Sequence, residues 1–276
     1  MPQPNKASDI FEFFQFHRKG KVVDGAPVCG LSLKAAGSMR FRWNETNPNR
    51  EKLKWLNSEN TASNTGELVP VQLDHTHIVY DIKSTEDTRD KIGDGLITTN
   101  RSLIPTVTVA DCMPLYLYDP VTGVFGIVHS GWKGTGIIVD AIKLAGKNYG
   151  ARVEDFCIIL GPHFRDCCYI VNEERANWFA ENFTPDCVRP LEAGIKVDWN
   201  TGGGQLYRLS LEKANLAAIK KAGVPDENIW IHPACTCCFK ENGIYKYGSN
   251  RRETKENGAP DKFTVQAAFI FANKPL

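Results

Sequence analysis

A cysteine and a histidine on one predicted hairpin are the first residues whose types and spacing suggest chemistry. Cys112 lies in a strand-like run and His129 ends the next apolar run, with turn-forming residues at 119–123 between them. If Tyr118 faces Val124 across this turn, Cys112 lies within one residue of the position opposite His129. Opposed side chains have Cβ atoms about 4.5–5.5 Å apart, so a thiol and an imidazole can share a metal ion or a proton there. The spacing predicts a Cys–His pair and leaves metal binding, nucleophilic chemistry and simple core packing open.

Two neighbouring segments carry groups that would support such a pair. His75 and His77 point to the same face if their segment is extended, so either offers a third ligand. Residues 131–136 form a glycine-bounded loop with Lys133 before a predicted helix, and N–H groups at a helix start favour an anion. The glycine order matches neither the dinucleotide-binding motif nor the P-loop, so we predict a phosphate ion or a substrate oxygen there.

The charge balance argues against nucleic acid and anionic membranes as partners. The chain has 276 residues, with 33 Lys plus Arg against 32 Asp plus Glu, and a net charge of +1. This balance gives no electrostatic reason to bind nucleic acid or an anionic membrane. Prolines and charges interrupt the apolar residues near the N-terminus, and the longest apolar run, at 267–272, is far shorter than the roughly 20 residues that span a bilayer. We expect a cytoplasmic protein with small-molecule partners, without nucleic acid or membrane.

The nine cysteines are an odd number, so at least one is unpaired, and we expect no disulfide framework. Cys235, Cys237 and Cys238 with His232 offer one way to build a structural zinc knot, but no second C-x-x-C pair completes four ligands at a familiar spacing. We therefore interpret these cysteines, and the Cys167-Cys168 pair, as soft side chains near a pocket. Six histidines are too few for a four-copper oxidase site in one chain, which needs about ten.

Periodicity predicts an α+β fold, a single domain with mixed or antiparallel β-sheets packed with helices. Residues 1–29 are expected to form an N-terminal extension or edge segment, and residues 30–276 a single catalytic domain. Pro114 suggests an edge, bulge or bend in the strand-like run that contains it. The predicted helices are 135–149, 172–181 and 206–222, with a short one at 50–56, and the predicted strands are 69–73, 78–82, 106–118, 156–160, 229–231 and 263–271.

The motifs around the pair resemble those of a known family. Ala110-Asp111-Cys112-Met113-Pro114 and His129-Ser130-Gly131-Trp132-Lys133-Gly134-Thr135 are similar to the A-D-C-x-P and H-A-G-W-R-G-T motifs of the purine nucleoside phosphorylase family, once named multicopper polyphenol oxidases or laccase-domain proteins. The resemblance covers roughly residues 30–270. Further motifs follow in the family's order: Asn49-Arg50, Asp94-Gly95-Leu96-Ile97-Thr98, Gly161-Pro162, Cys167-Cys168-Tyr169, Cys235-Thr236-Cys237-Cys238 and Ser249-Asn250-Arg251-Arg252.

The resemblance implies a zinc enzyme that cleaves purine nucleosides with phosphate as co-substrate and deaminates adenosine. Adenosine, inosine, guanosine and methylthioadenosine are the implied substrates. The implied metal ligands, which are also the implied catalytic residues, are His75, Cys112 and His129. The third ligand rests on an imperfect match, because the chain has Asp74-His75-Thr76-His77 near the family's Q-V-H-G-x-x-V motif. We predict His75, which keeps Val79 in register, with His77 and Asp74 as alternatives.

For substrate binding we predict Lys133 and Arg252 at phosphate, with Asp94 and Tyr169 beside the nucleoside. Lys133 replaces the family's arginine and loses its bidentate geometry. Tyr169 has two possible roles, stacking on a purine or filling the core.

Other functions fit parts of the same pattern. A copper-dependent polyphenol oxidase would use the same nitrogen and sulfur ligands. A metal-free cysteine hydrolase would use Cys112 as nucleophile and His129 as base, as in the cytotoxic-necrotizing-factor toxins, whose fold the family's resembles. A non-catalytic binding protein is a further alternative. The sequence does not predict the preferred nucleoside or the oligomeric state.

Overall fold

The computed structural model describes residues 10–46, 66–195, 197 and 204–272. The short helix predicted at 50–56 and the Asn49-Arg50 motif lie outside these residues. Within them, no helix combines the length and the apolar character needed to cross a membrane.

Two β-sheets pack face to face at the centre of the molecule. The first has the order β1-β4-β18-β8-β5, with β1 Phe11–Phe14, β4 Val28–Ser32, β5 Glu67–Pro70, β8 Leu103–Val109 and β18 Gln266–Phe271. The second has the order β15-β11-β9-β10-β7-β6, with β6 Val79–Asp81, β7 Gly95–Thr98, β9 Met113–Tyr118, β10 Phe125–Ser130, β11 Cys157–Leu160 and β15 Ile229–Ile231. Both sheets mix parallel and antiparallel pairs, as predicted.

Alternation along β9 divides the core into two layers. Tyr116 packs between the sheets with Leu31 and Val107, whereas Leu115 and the other odd-numbered apolar residues of β9 pack toward the helices. Successive strand residues point to opposite faces, so a strand buried on both sides reads as a continuous apolar run.

Four helices lie among the described residues, and the first of them packs directly on β6, β7 and β10 of the second sheet. They are α1 Ile137–Tyr149, α2 Glu173–Asn182 and α3 Leu211–Ala222, with α4 Asn250–Asn257 following near the C-terminus. Helix α1 ends where its spacing predicts, at Gly150, whose φ of 71° lies in the left-handed region that favours glycine. The remaining short strands are β2 His17–Arg18, β3 Lys21–Val22, β12 Ile170–Asn172, β13 Val188–Pro190, β14 Leu206–Leu209, β16 Lys240–Glu241 and β17 Ile244–Tyr245.

Two predicted elements were wrong, because the structure divides each of them into two separate elements. The run at 106–118 is not one strand, because the chain leaves the first sheet after Val109, turns through Asp111 with a φ of 82°, and enters the second sheet as β9. Pro114 lies inside this strand rather than at the break. The predicted helix at 206–222 begins as β14, and the Ser210 hydroxyl then caps α3 by accepting from the Lys213 N–H.

Candidate metal centre

His75, Cys112 and His129 bring one ligand atom each into a group whose members all lie within 4.8 Å of one another. The His75 Nε2 lies 3.7 Å from the Cys112 Sγ, and the two imidazole rings meet edge to face with centroids 4.9 Å apart. Bonds of about 2.1 Å to nitrogen and 2.3 Å to sulfur at a tetrahedral angle place N and S about 3.6 Å apart. The donor set therefore fits a single tetrahedral metal ion.

The β9–β10 hairpin places Cys112 and His129 on one side of the sheet. The observed register pairs Tyr118 with Phe125, one residue from the predicted pairing, so His129 lies opposite Pro114. Cys112 precedes Pro114 by two residues, which is the spacing of one strand face. A shift of one residue exchanges the two faces of a strand, so the observed register favours the meeting of thiol and imidazole.

His75 reaches this group from a loop in an uncommon conformation. Its φ of 56° lies in the left-handed region, where a non-glycine residue costs about 1–2 kcal/mol. The Asp94 carboxylate stabilises the loop by accepting the backbone N–H groups of His75 at 3.1 Å and Thr76 at 2.6 Å. The structure thus brings His75 to the metal group.

His77 and Asp74 do not join the metal group. His77 turns outward, where its imidazole bonds to Asp140 at 2.7 Å and to the Lys133 carbonyl at 3.1 Å. Asp74 contributes its backbone N–H to Asp94 at 3.4 Å, and its side chain lies outside the group.

Asp94 also orients the second histidine. It is fully buried, and its Oδ1 lies 2.7 Å from the His129 Nδ1, which leaves Nε2 as the nitrogen available to a metal. Burial opposes ionisation of Asp94, but the hydrogen bonds from His129 and Thr76 outweigh it, so its pKa lies below the usual value. We predicted Asp94 as a substrate-binding residue. This placement corrects that prediction, because the carboxylate lies beneath the ligands and holds two of them.

Gly131 allows the ligands to approach the chain closely. A Cβ at this position would lie 2.6 Å from the His75 Cδ2 and 2.8 Å from the Cys112 Sγ. Both distances are shorter than van der Waals contact. Gly131, two residues after His129, therefore leaves the space that His75 and Cys112 occupy.

The thiol and the buried imidazole stabilise each other's charged forms. Burial alone would raise the pKa of Cys112, but the charge of His129 and hydrogen bonds with His129 and His75 lower it to about 6. Burial likewise disfavours protonation of His129, but the Cys112 charge and the Asp94 carboxylate raise its pKa to about 10. The pair holds a thiolate at neutral pH, the form that binds metals and attacks electrophiles.

A cavity of about 360 Å³ opens beside the metal group, a volume that suits a small-molecule ligand. Five aromatic side chains line it: Phe41, Trp132, Phe164, Tyr169 and Phe263. Arg40, Arg42 and Arg251 supply positive charge to the same walls. The cavity therefore combines flat apolar surfaces with cationic groups next to the candidate metal ligands.

Of the four predicted substrate-binding residues, the structure places only Tyr169 on this cavity. Lys133 lines a separate cavity with His77 and Asp140. Arg252 is buried, and its guanidinium donates to the carbonyls of Thr236, Cys237 and Tyr247. The prediction that Arg252 holds phosphate conflicts with these contacts, because both terminal nitrogens of the buried guanidinium already donate to protein oxygens.

Sequence reasoning missed Arg251 and regarded Asp111 only as a supporting group beside Cys112. Arg251 lines the cavity, and its backbone N–H donates to the Asp111 carboxylate at 2.7 Å. Asp111 also accepts from the hydroxyls of Thr236 at 2.8 Å and Ser249 at 3.0 Å. The Arg251-Arg252 pair was the available signal, but neighbouring helix residues point about 100° apart, and only the tertiary structure shows which one faces the cavity.

The chain is similar to known proteins over most of its length. Residues 44–263 match the family described as "Multi-copper polyphenol oxidoreductase laccase". A purine nucleoside phosphorylase of Clostridium acetobutylicum is 30% identical over 237 residues, covering 84% of this chain and 89% of that protein. The mouse purine nucleoside phosphorylase LACC1 is 30% identical over 154 residues, which are 54% of this chain and only 33% of that protein.

A solved structure shares the fold. YlmD from Geobacillus stearothermophilus superposes with a TM-score of 0.70 at 24% sequence identity, and the match covers 96% of this chain and 100% of that one. This agreement extends over both central sheets and the helices packed on them, which confirms the mixed α+β architecture.

Proposed function

This chain belongs to the multi-copper polyphenol oxidoreductase laccase family, and we propose that it is a zinc-dependent enzyme that cleaves purine nucleosides with phosphate. The observation that carries the proposal is the convergence of His75, Cys112 and His129 at the edge of an aromatic, arginine-lined cavity. Relatives named purine nucleoside phosphorylase support the reaction class.

The donor set favours zinc over a copper cluster. Two imidazoles and one thiolate leave a fourth position open, which is the arrangement of catalytic zinc sites. All six histidines lie within the described residues, and two of them reach the metal group. Zinc held there would supply Lewis acidity toward a substrate oxygen and lower the pKa of bound water toward 7.

The residues around the cavity have separate tasks in this proposal. Phe164 and Tyr169 pack with ring centroids 4.8 Å apart and ring planes tilted by 37°, so each offers a separate ring face on which a purine can stack. Arg251 lies over the Phe164 ring at 5.7 Å and presents a guanidinium that binds a phosphate dianion. Asp94 keeps His129 oriented, and Asp111 keeps the start of α4 in place.

Phosphorolysis and deamination would share this pocket. In phosphorolysis a phosphate oxygen forms a bond to C1′ of the ribose while the bond from C1′ to the purine nitrogen breaks. The base leaves with that electron pair and takes up a proton, and ribose 1-phosphate remains. In deamination water adds at C6 of adenosine and ammonia leaves, which converts adenosine to inosine. We propose both activities, with phosphorolysis as the principal one.

The test combines metal analysis with a nucleoside assay. Purified zinc-loaded protein is incubated with adenosine, inosine or guanosine, with and without phosphate, and the products are separated by chromatography. We expect free base and ribose 1-phosphate only when phosphate is present, and inosine from adenosine in either case. Cys112→Ala should abolish both reactions. Cys187→Ala, at a buried thiol outside the metal group, should retain them. Folded, zinc-loaded protein that releases no base from any nucleoside would reject the proposal.

Two other functions are each favoured by one observation. The family's description favours a copper-dependent polyphenol oxidase. That function predicts phenol oxidation by copper-loaded protein without nucleoside turnover. The Cys112–His129 pair favours a metal-free cysteine hydrolase. The resemblance stated from the sequence implies the same function, since cytotoxic necrotizing factors use such a pair. That function predicts inactivation by thiol alkylation and full activity in the presence of a chelator.

A further inference from the structure

A second group of thiols lies outside the candidate active site. It consists of Cys167, Cys168, Cys235 and Cys238, whose sulfur atoms all lie within 4.8 Å of one another. We propose that these four cysteines bind one structural zinc ion. The zinc knot that the sequence analysis weighed and set aside would use His232 and Cys237 in place of Cys167 and Cys168. Neither His232 nor Cys237 belongs to the observed group, and the His232 Nε2 lies 3.5 Å from Glu12.

The measured sulfur separations fit a tetrahedral site. The Cys167 Sγ lies 3.8 Å from the Cys168 Sγ and 3.7 Å from the Cys238 Sγ. Zinc–sulfur bonds of about 2.3 Å at tetrahedral angles require sulfur atoms about 3.8 Å apart. Tetrahedral coordination by four sulfurs is typical of zinc and of iron–sulfur sites.

Two distant segments supply the ligands. Cys235 and Cys238 form a C-x-x-C unit, the spacing of a zinc-binding turn, and the adjacent pair Cys167-Cys168 completes the set from the loop before β12. A parallel bridge joins His163 to Cys235, so the backbones of the two segments run side by side at this point. The sequence has no second C-x-x-C pair, and in the fold the adjacent cysteines Cys167 and Cys168 take its place beside Cys235 and Cys238.

Backbone hydrogen-bond donors reach one of the four sulfur atoms, as they do in thiolate metal sites. The backbone N–H groups of Arg165 and Cys238 both bond to the Cys235 sulfur, the former at 3.5 Å. Such bonds stabilise a thiolate and fix the direction of its lone pairs.

Two arginines hold the backbone of the ligand loops. Arg208 donates to the carbonyls of Asp166 at 3.1 Å and Cys167 at 2.9 Å. Arg252 donates to the carbonyls of Thr236 at 2.9 Å and Cys237 at 2.8 Å. Arg252, which the sequence suggested for phosphate, therefore supports the loop that carries Cys235 and Cys238.

The four-cysteine site is connected to the candidate active site through Thr236. The Thr236 hydroxyl donates to Asp111, the neighbour of Cys112, at 2.8 Å. The other ligand segment carries Phe164 and Tyr169, two walls of the cavity. A zinc ion that joins these segments would hold the cavity wall and the Asp111 contacts in place. We assign it this structural role.

The experiment counts metal ions and identifies their ligands. Protein expressed with added zinc is analysed by elemental mass spectrometry. We expect about two zinc ions per chain if both sites are filled. To isolate the second site, the double variant H75A/C112A is prepared, and its zinc X-ray absorption is recorded. The expected result is about one zinc per chain with a shell of four sulfurs at about 2.3 Å.

Matched cysteine variants locate the ion. In the H75A/C112A background, Cys168→Ser and Cys238→Ser should each remove the remaining zinc. Cys237→Ser, in the same turn but outside the four-thiol group, should retain it. Because Cys168→Ser could prevent folding, circular dichroism is recorded for each variant, and the exposed Cys238 provides the second, less disruptive change.

The outcomes separate this site from the proposed function. A metal-free H75A/C112A protein that is folded would overturn the four-cysteine site, as would iron instead of zinc or a disulfide among these cysteines. Loss of nucleoside activity cannot produce any of those results, because the metal count does not depend on turnover. Conversely, a four-sulfur zinc in a chain that turns over no nucleoside would support this site and reject only the proposed function.

Discussion

The Oδ1 of Asp94 lies 2.7 Å from the Nδ1 of His129, and the same buried carboxylate accepts the backbone N–H groups of the loop that carries His75. One side chain therefore positions two of the three candidate metal ligands. Removing such a partner of a metal-bound histidine typically costs 10–100-fold in metal affinity.

We predict that Asp94→Asn weakens zinc binding by about 10–100-fold. An amide cannot accept from His129 and from the backbone N–H groups of Asp74, His75 and Thr76 with the strength of a carboxylate. Competition with a chromogenic chelator measures the affinity. Asp140→Asn is the control, because Asp140 contacts only the outward-facing His77 among the candidate histidines. Equal affinities for the Asp94 variant and the wild type would contradict the positioning role.

Gly131→Ala should displace the ligands. The new Cβ would meet His75 and Cys112 at 2.6 and 2.8 Å, so at least one ligand must move. We expect loss of zinc from this site and loss of nucleoside turnover, with the fold retained by circular dichroism. Gly146→Ala is the matched control, because it lies within α1 with only the Ala151 carbonyl nearby, at 3.2 Å. A Gly131→Ala protein with normal zinc content would contradict this close approach.

The neighbouring arginines of α4 should respond differently to substitution. Arg251→Met should raise the KM for phosphate by about tenfold or more, because it removes a charged contact from the cavity.

Arg252→Met should instead destabilise the protein by about 3 kcal/mol or more, since several buried carbonyls lose a charged donor. Steady-state kinetics and urea unfolding separate the two effects. A phosphate KM that rises with Arg252→Met but not with Arg251→Met would reverse the assignment.

Glu12 should make stability depend on acid pH. It accepts from Lys246 at 2.9 Å and Tyr247 at 2.7 Å. Burial raises its pKa, but hydrogen bonds from His232, Lys246 and Tyr247 lower it to about 2, from 4.5. The folded pKa is depressed, so the stabilisation is present above pH 4.5 and is lost as the pH falls toward 2.

We expect Glu12→Gln to lower the free energy of unfolding at pH 7 by about 2–3 kcal/mol and to flatten its decline between pH 4.5 and 2. Urea unfolding at a series of pH values provides the measurement. Glu241→Gln, an exposed partner of the same Lys246 at 3.6 Å, should have little effect. An unchanged pH profile in Glu12→Gln would contradict this account.

Local patterns predicted several elements because their geometry depends on nearby residues alone. The apolar spacing of α1 and the glycine after it indicate the helix and its end, as the structure confirms. The hairpin that carries Cys112 and His129 was also predictable, because its strands are close in sequence, but the register that places both side chains on one face was not. The break between β8 and β9 was not predictable from composition, because both strands are buried and Asp111 is the one charged residue between them.

The sequence by itself determined the ligand types, the hairpin that carries Cys112 and His129, and the mixture of helices and strands. Only the tertiary structure decided that Asp94 holds the ligands, that Arg251 rather than Arg252 faces the cavity, and that Cys167 lies 3.7 Å from Cys238 across a separation of 71 residues. The physical reason is that such contacts depend on how two sheets and their loops pack together. Packing is driven by burial of apolar surface, which is non-directional, so the sequence pattern does not specify which distant side chains meet.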